Sequence, residues 1–70
     1  MEDVIIYTKP GCPYCGGAKT DLLRRGIRYT EHDVLGDPAA LRQMLALNGN
    51  RRQVPTIVQG DQVTVGFGGH

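Results

Sequence analysis

The sequence predicts one small α/β domain whose elements follow the order β-α-β-α-β-β. The chain has 70 residues, of which 40% are hydrophobic and 21% charged, an ordinary composition for a globular protein. Gly and Pro divide it into short segments of strand or helix pattern without repeats or linkers, so residues 1–70 are predicted to form a single domain. A formal net charge of +1 argues against a nucleic-acid binder, and no apolar run is long enough to span a bilayer.

The first half of the chain has the pattern of a strand, a helix and a second strand. Val4–Thr8 is a β-branched and aromatic run, which is typical of a strand buried on both faces. A helix is predicted to begin at Pro13 and to end just before Gly26, since glycine commonly follows a last helical turn. A second strand is predicted within residues 27–34. This order and spacing imply a right-handed crossover and parallel pairing of the two strands.

The second half predicts a helix followed by a β-hairpin. Asp37 and Pro38 are suited to the N-cap and the first position of a helix, which should end at residues 48–49. Residues 56–58 and 63–65 are short β-branched runs separated by four turn-forming residues. We therefore predict that these two runs form an antiparallel hairpin.

The two cysteines of the chain, Cys12 and Cys15, lie where the first strand gives way to the first helix. A disulfide between them would close almost no loop and would stabilise the fold little, which favours a redox or metal role. Backbone N–H groups and the helix dipole should lower the Cys12 pKa from about 8.5 into the range of about 3.5–7.5. Cys15, one turn further along, should be more buried and less acidic. We predict that Cys12 attacks a disulfide and that Cys15 resolves the intermediate.

The cysteine pair has two other interpretations. A structural zinc site needs about four protein ligands, and the other soft ligands, His32 and His70, do not stand at a suitable spacing. A pair of buried cysteines without function is the second alternative. The strand-to-helix position after Lys-Pro-Gly favours the redox interpretation over both.

Residues 7–15, Tyr-Thr-Lys-Pro-Gly-Cys-Pro-Tyr-Cys, resemble the active-site segment of the dithiol (CPYC) glutaredoxins of the thioredoxin superfamily. Residues 53–55 stand where that family has Thr-Val-Pro. The resemblance implies a thioredoxin-like fold with a four-stranded mixed sheet of order 2-1-3-4, helices on both faces, and the third helix of the family absent or truncated. It also implies a thiol-disulfide oxidoreductase that reduces protein disulfides or glutathione mixed disulfides and needs no organic cofactor or metal.

The resemblance assigns further site residues. Pro55 would be a cis-proline opposite the cysteines, and the Val54 backbone would bind a peptide or glutathione. Lys9 would attract a glutathione carboxylate and stabilise the thiolate, while Tyr14 would form an apolar wall of the groove. Gly66 would belong to the same glutathione-binding region.

The end of the sequence departs from the glutathione-using members of the family. Those proteins typically have Gly-Gly followed by an Asp that binds the glutathione α-amino group, whereas here Val65 replaces the first Gly and no Asp follows. The Gly66-Phe67 pair instead resembles the NrdH-redoxins, which draw electrons from thioredoxin reductase. Both electron sources therefore stay open. Phe67 is expected to pack into the core and to fill part of the space of the missing helix.

Three residues outside these motifs have open roles. Arg51 and Arg52 could join Lys9 in a basic rim that suits an anionic tripeptide or an acidic partner, or they could be solvated loop residues. His32 is expected to be a structural residue at a sheet edge.

Two rivals come from other functional classes. An iron–sulfur carrier would share a cluster between two chains through Cys12 and glutathione, which Pro13 disfavours because cluster-binding relatives mostly have a smaller residue there. A non-enzymatic binding module would use the groove beside Pro55. The absence of a signal-peptide pattern and the reactive thiol pair predict a cytoplasmic protein, and we expect a monomer.

Overall fold

The computed structural model describes residues 4–67, which form a four-stranded sheet and two helices. The elements are β1 (Val4–Thr8), α1 (Pro13–Arg24), β2 (Tyr29–Asp33), α2 (Pro38–Asn48), β3 (Thr56–Gln59) and β4 (Gln62–Val65). The strand order is β2-β1-β3-β4, in which β1 runs parallel to β2 and antiparallel to β3, and β3 and β4 form a hairpin. The predicted fold class and strand order are confirmed. Neither helix in residues 4–67 is long and apolar enough to cross a membrane.

The central strand β1 contributes to a hydrophobic core on each face of the sheet. Val4 and Ile6 pack with Leu22 of α1, whereas Tyr7 belongs to the cluster that contains Met44 of α2. Because successive residues of a strand point to opposite faces, the two helices cover opposite faces of the sheet. This arrangement confirms the prediction that β1 is buried on both sides.

The second strand is shorter than the predicted range of 27–34. The Ile27 N–H donates to Leu22 O at 2.9 Å, so this residue completes the end of α1 instead of starting β2. The parallel register then begins at Val4 opposite Tyr29 and ends at Thr8 opposite Asp33. Since β1 has only five residues, it can pair only five residues of β2.

The boundaries of α2 and of the hairpin follow local sequence signals. The Asp37 side chain accepts hydrogen bonds from the backbone N–H groups of residues 39 and 40, and Gly49 ends the helix in the left-handed conformation with φ of 75°. These observations confirm the predicted helix. β3 and β4 extend to Gln59 and Gln62, which leaves a two-residue turn instead of four turn residues.

Phe67 packs against the α1 side of the core, as predicted. It contacts the cluster formed by Val4, Ile6, Ala18 and Leu22. A β-carbon built on Gly17 would lie 3.2 Å from its ring. Residues 68–70 lie outside the described residues.

Candidate active site

Cys12 is placed at the N-terminus of α1 by the main chain around it. It has extended backbone angles (φ −90°, ψ 110°) and serves as the N-cap, while Pro13 fills the first helical position. The Cys12 Sγ accepts a hydrogen bond from the Cys15 N–H at 3.4 Å and lies 4.0 Å from Val54 O. Both cysteines are free thiols; Cys12 is partly exposed, and Cys15 is 2% exposed.

The pKa of Cys12 lies below that of an ordinary thiol. Partial burial raises this pKa, but the combined hydrogen bonds from the Cys15 thiol and from the N–H groups of Cys15 and Tyr14 outweigh it. The positive charge of Lys9 lowers the Cys12 pKa further. The direction agrees with the prediction made from the helix N-terminus, because unpaired N–H groups there stabilise a thiolate.

Cys15 has the opposite electrostatic environment. Burial raises its pKa to about 11, and both its hydrogen bond to Cys12 and the negative charge on that neighbour add to the shift. The Lys9 backbone N–H and the Lys19 charge oppose it only in part. The partly exposed thiol is therefore the acidic one, as the predicted division of roles between Cys12 and Cys15 requires.

Cys12 opens into a cleft of about 650 Å³. One wall comes from the start of α1 and the other from the loop between α2 and β3. The lining residues are Lys9, Gly11, Cys12, Pro13, Tyr14, Arg51, Arg52, Gln53 and Val54. Three of these residues are cationic and none carries a carboxylate. The basic rim considered from the sequence is thus present around the reactive thiol.

Four of the seven predicted site residues line this cleft, and Cys15, Pro55 and Gly66 are not among them. Lys9, Tyr14 and Val54 line it, and the Val54–Pro55 peptide bond is cis, as expected. Gly66 lies in a separate groove beside α1, and its N–H donates to Pro55 O at 2.7 Å. The glutathione-binding role predicted for Gly66 has no direct support from this geometry, because its N–H already has a partner behind the cleft.

Two buried polar residues that the sequence did not single out hold the cleft loop. Asn48, at the end of α2, is 8% exposed, and Thr56, at the start of β3, is fully buried. Their side chains bond to each other and to the backbone of the residues between them. No motif marks these residues, since an Asn before Gly is also an ordinary helix end.

Two polar residues of β2, Glu31 and His32, have partners within the fold. Glu31 accepts hydrogen bonds from the Thr8 hydroxyl at 2.7 Å and from Lys19 Nζ at 3.0 Å. These hydrogen bonds, that of Thr8 first, lower the Glu31 pKa. His32 stacks on Tyr7 with ring centroids 5.5 Å apart, in agreement with a structural role on the edge strand β2.

No metal centre is evident in the part of the chain that the structure describes. Within residues 4–67, no three His, Cys, Asp or Glu side chains lie together as metal ligands would. His70, the other histidine considered from the sequence, lies outside this range.

The thioredoxin-like fold and the thiol pair at a helix N-terminus define the class of this protein. The family model described as "Glutaredoxin" matches residues 4–64, most of the chain. The chain therefore belongs to the glutaredoxin family.

Relatives and solved structures agree with this assignment. A probable glutaredoxin from Synechocystis sp. is 41% identical over 66 residues, which cover 94% of this chain and 58% of the relative. The chain thus spans well under two thirds of the length of that relative. The solution structure of a glutaredoxin from Brucella melitensis is 42% identical with a TM-score of 0.74, covering 94% of this chain and 71% of that one.

A structure of NrdH-redoxin from Escherichia coli is also similar. It has a TM-score of 0.82 and 29% sequence identity, and the match covers 93% of this chain and 83% of that chain. That protein is described as a glutaredoxin-like protein with a thioredoxin-like activity profile. Both subgroups weighed from the sequence are therefore represented among the similar proteins.

Proposed function

We propose that the protein is a glutaredoxin-type thiol-disulfide oxidoreductase that reduces protein disulfides or glutathione mixed disulfides. The observation that supports this most directly is the pair of thiols with opposite pKa shifts at the start of α1. The more acidic thiol, Cys12, faces an open cleft, and Cys15 lies behind it. Thiol-disulfide exchange needs this combination of an accessible nucleophile and a protected resolving thiol.

The reaction proceeds by two successive exchanges. The Cys12 thiolate attacks one sulfur of the substrate disulfide, the S–S bond breaks, and the other sulfur leaves as a thiolate. Cys15 then gives up its proton and attacks Cys12 Sγ, which displaces the second substrate sulfur. That sulfur leaves as a thiol, the first takes up a proton from solvent, and the substrate has gained two electrons. The domain keeps the Cys12–Cys15 disulfide.

The reductant that restores the dithiol is glutathione or thioredoxin reductase. The cationic cleft supports glutathione, which carries two carboxylates, because Lys9 and Arg51 line the same space as Cys12. The likeness to NrdH-redoxin supports the reductase as the alternative donor. The exchange itself needs no organic cofactor or metal. We place the protein in the cytoplasm, where reducing conditions keep the two thiols from forming a permanent disulfide, and we expect it to act as a monomer.

The test is the reduction of the oxidised protein by each donor. Absorbance or mass spectrometry would follow loss of the Cys12–Cys15 disulfide with glutathione alone and with thioredoxin reductase plus NADPH. Rapid reduction by glutathione would support the glutaredoxin cycle, and rapid reduction only by the reductase would support the NrdH-type cycle. Failure of both donors would contradict the proposal, and Cys15→Ser serves as the control that cannot form the internal disulfide.

A further inference from the structure

The loop that forms the second wall of the cleft brings two arginines close to Cys12. We call residues 49–55 the arginine loop; it joins α2 to β3 and contains Arg51 and Arg52. Both arginines are exposed, and both line the cleft together with Lys9. A surface loop of this length is ordinarily mobile unless something fixes its backbone.

Asn48 and Thr56 fix this loop from both ends. The Asn48 side chain donates to Arg51 O at 2.7 Å and accepts from the Arg51 N–H at 3.0 Å, so it binds both backbone groups of that residue. Its amide also donates to Thr56 Oγ1 at 3.2 Å. The Thr56 hydroxyl in turn donates to Gln53 O at 2.9 Å. The two side chains thus form one connected network beneath the loop, the Asn48–Thr56 clamp.

The clamp is buried, which makes its hydrogen bonds costly to break. A buried polar group that loses its partner pays a desolvation cost of about 1–3 kcal/mol. The described residues contain no buried side-chain nitrogen or oxygen that lacks a hydrogen-bond partner. The clamp therefore restrains the backbone at Arg51 and Gln53, and both arginines of the loop line the cleft.

A fixed arrangement of cations distinguishes substrates better than a mobile one. Charges on an ordered wall act on a bound carboxylate without the entropy cost of ordering the loop during binding. The cleft has no carboxylate of its own among its lining residues, so its field has a single sign. A disulfide flanked by carboxylates would be attracted, and one flanked by ammonium groups would be repelled.

We propose that Asn48 and Thr56 are positioning residues that hold the arginine loop so that the site prefers disulfides flanked by acidic residues. The inference rests on the proposed function and adds a substrate preference to it. The clamp acts apart from the nucleophile, because the groups that lower the Cys12 pKa belong to α1 and to Lys9. Loss of the clamp therefore reduces the preference without changing the acidity of Cys12.

The test measures a single turnover of the reduced protein with two synthetic probes. Each probe is the symmetric disulfide of a short peptide with one cysteine, flanked by Asp in one peptide and by Lys in the other. One equivalent of protein dithiol converts one peptide disulfide into two thiols and retains the internal disulfide, so no added reductant is needed. Second-order rate constants are measured at low and high ionic strength, and the ratio of Asp to Lys rates is the preference.

Four variants separate the clamp from the charges. In the wild type we expect the Asp probe to react roughly tenfold faster at low salt, with a smaller ratio at high salt. Arg51→Gln combined with Arg52→Gln should remove most of this ratio. Asn48→Ala and Thr56→Val should each lower it by roughly threefold, through misplacement of groups that remain present. Thr56→Ser keeps the hydroxyl and should retain the wild-type ratio.

The outcomes distinguish the inference from the proposed function. A wild type that reduces neither probe would contradict the function itself. A wild type that reduces both probes equally, or clamp variants that fold and keep the full ratio, would overturn the inference alone. Circular dichroism establishes folding, and the pH profile of Cys12 alkylation should be the same in all clamp variants. Thr56→Val preserves side-chain shape and tests the clamp at a smaller stability cost than Asn48→Ala.

Discussion

On one wall of the cleft Cys12 is positioned by the main chain of α1, whereas on the other wall the backbone of Arg51 and Gln53 is held by buried side chains. The first wall depends on an N-cap and a helix terminus. The second depends on hydrogen bonds from Asn48 and Thr56. If the proposed function and the further inference hold, reactivity and substrate preference reside in separate parts of the site and can be changed independently.

The largest expected effect comes from removal of the nucleophile on the α1 wall. Cys12→Ser should lower the rate of disulfide reduction by about a thousandfold or more, because a hydroxyl is not ionised at neutral pH. Cys15→Ser should retain the first exchange and accumulate a mixed disulfide, which mass spectrometry detects as the added mass of the substrate. Full turnover by Cys15→Ser would contradict the assigned roles.

The two thiols should also differ in their response to pH. With a pKa of about 11, Cys15 has a thiolate fraction of roughly one in a thousand at pH 8. The lowered pKa of Cys12 means that this thiol ionises at a lower pH than an ordinary thiol. Alkylation with iodoacetamide, read residue by residue by mass spectrometry, should therefore label Cys12 first at every pH up to about 10. Equal labelling rates near neutrality would show that the α1 wall does not separate the two thiols.

The raised pKa of Cys15 also predicts an alkaline loss of stability. An unfolded thiol ionises at lower pH than buried Cys15, so the unfolded state binds fewer protons in that range. The stabilising contribution of the neutral thiol is complete below the unfolded pKa and is lost as pH rises toward about 11. Denaturant unfolding of the reduced protein should show this decline, and Cys15→Ala should show a weaker pH dependence over the same interval.

On the loop wall, Asn48→Ala should lower the free energy of unfolding by about 2–3 kcal/mol, because it removes three hydrogen bonds made by a buried side chain. The Arg51 amide should exchange faster with solvent, as measured by hydrogen exchange. Gln62→Ala is a control, since it removes an exposed carboxamide from β4 and should cost only a few tenths of a kcal/mol. Equal effects of the two variants would argue against the clamp.

The smallest effect is expected from the cation on the α1 wall. Lys9→Gln should slow Cys12 alkylation at pH 7 by less than about threefold, since this charge is the weakest of the influences that lower the Cys12 pKa. Arg25→Gln removes an equal charge that is paired with Asp21 at 3.1 Å on α1 and lines a different groove. It should leave the alkylation rate unchanged, so an equal decrease in both variants would indicate a general charge effect.

The contrast between the two walls also explains what could be predicted from the sequence. Local signals sufficed for the α1 wall and for the start of α2, because Pro13 and Asp37 act on the turns in which they lie. The alternation of hydrophobic residues and the element order likewise predicted the sheet. The range of β2 was too wide because its length is set by β1, a strand far away in sequence.

The clamp and the position of Gly66 could not be predicted in the same way. Asn48 acquires its role only when β3 brings Thr56 beside it, a relation that no local pattern specifies. Gly66 follows the family spacing but is placed by the hairpin behind Pro55, where its N–H is already used. In both cases the hydrogen bond that fixes the residue joins two segments that lie close together only after the sheet has formed.

The contact between α1 and Phe67 links two positions that are fifty residues apart in the chain. Because the space above Gly17 is occupied by the ring, a β-carbon at position 17 and an aromatic side chain at position 67 compete for the same volume. The two sites are therefore coupled in size: a larger residue on the helix would displace the ring by a few tenths of an ångström or favour a smaller residue at position 67. The size of the side chain at position 17 of α1 is thus limited by a residue that follows the last strand of the sheet.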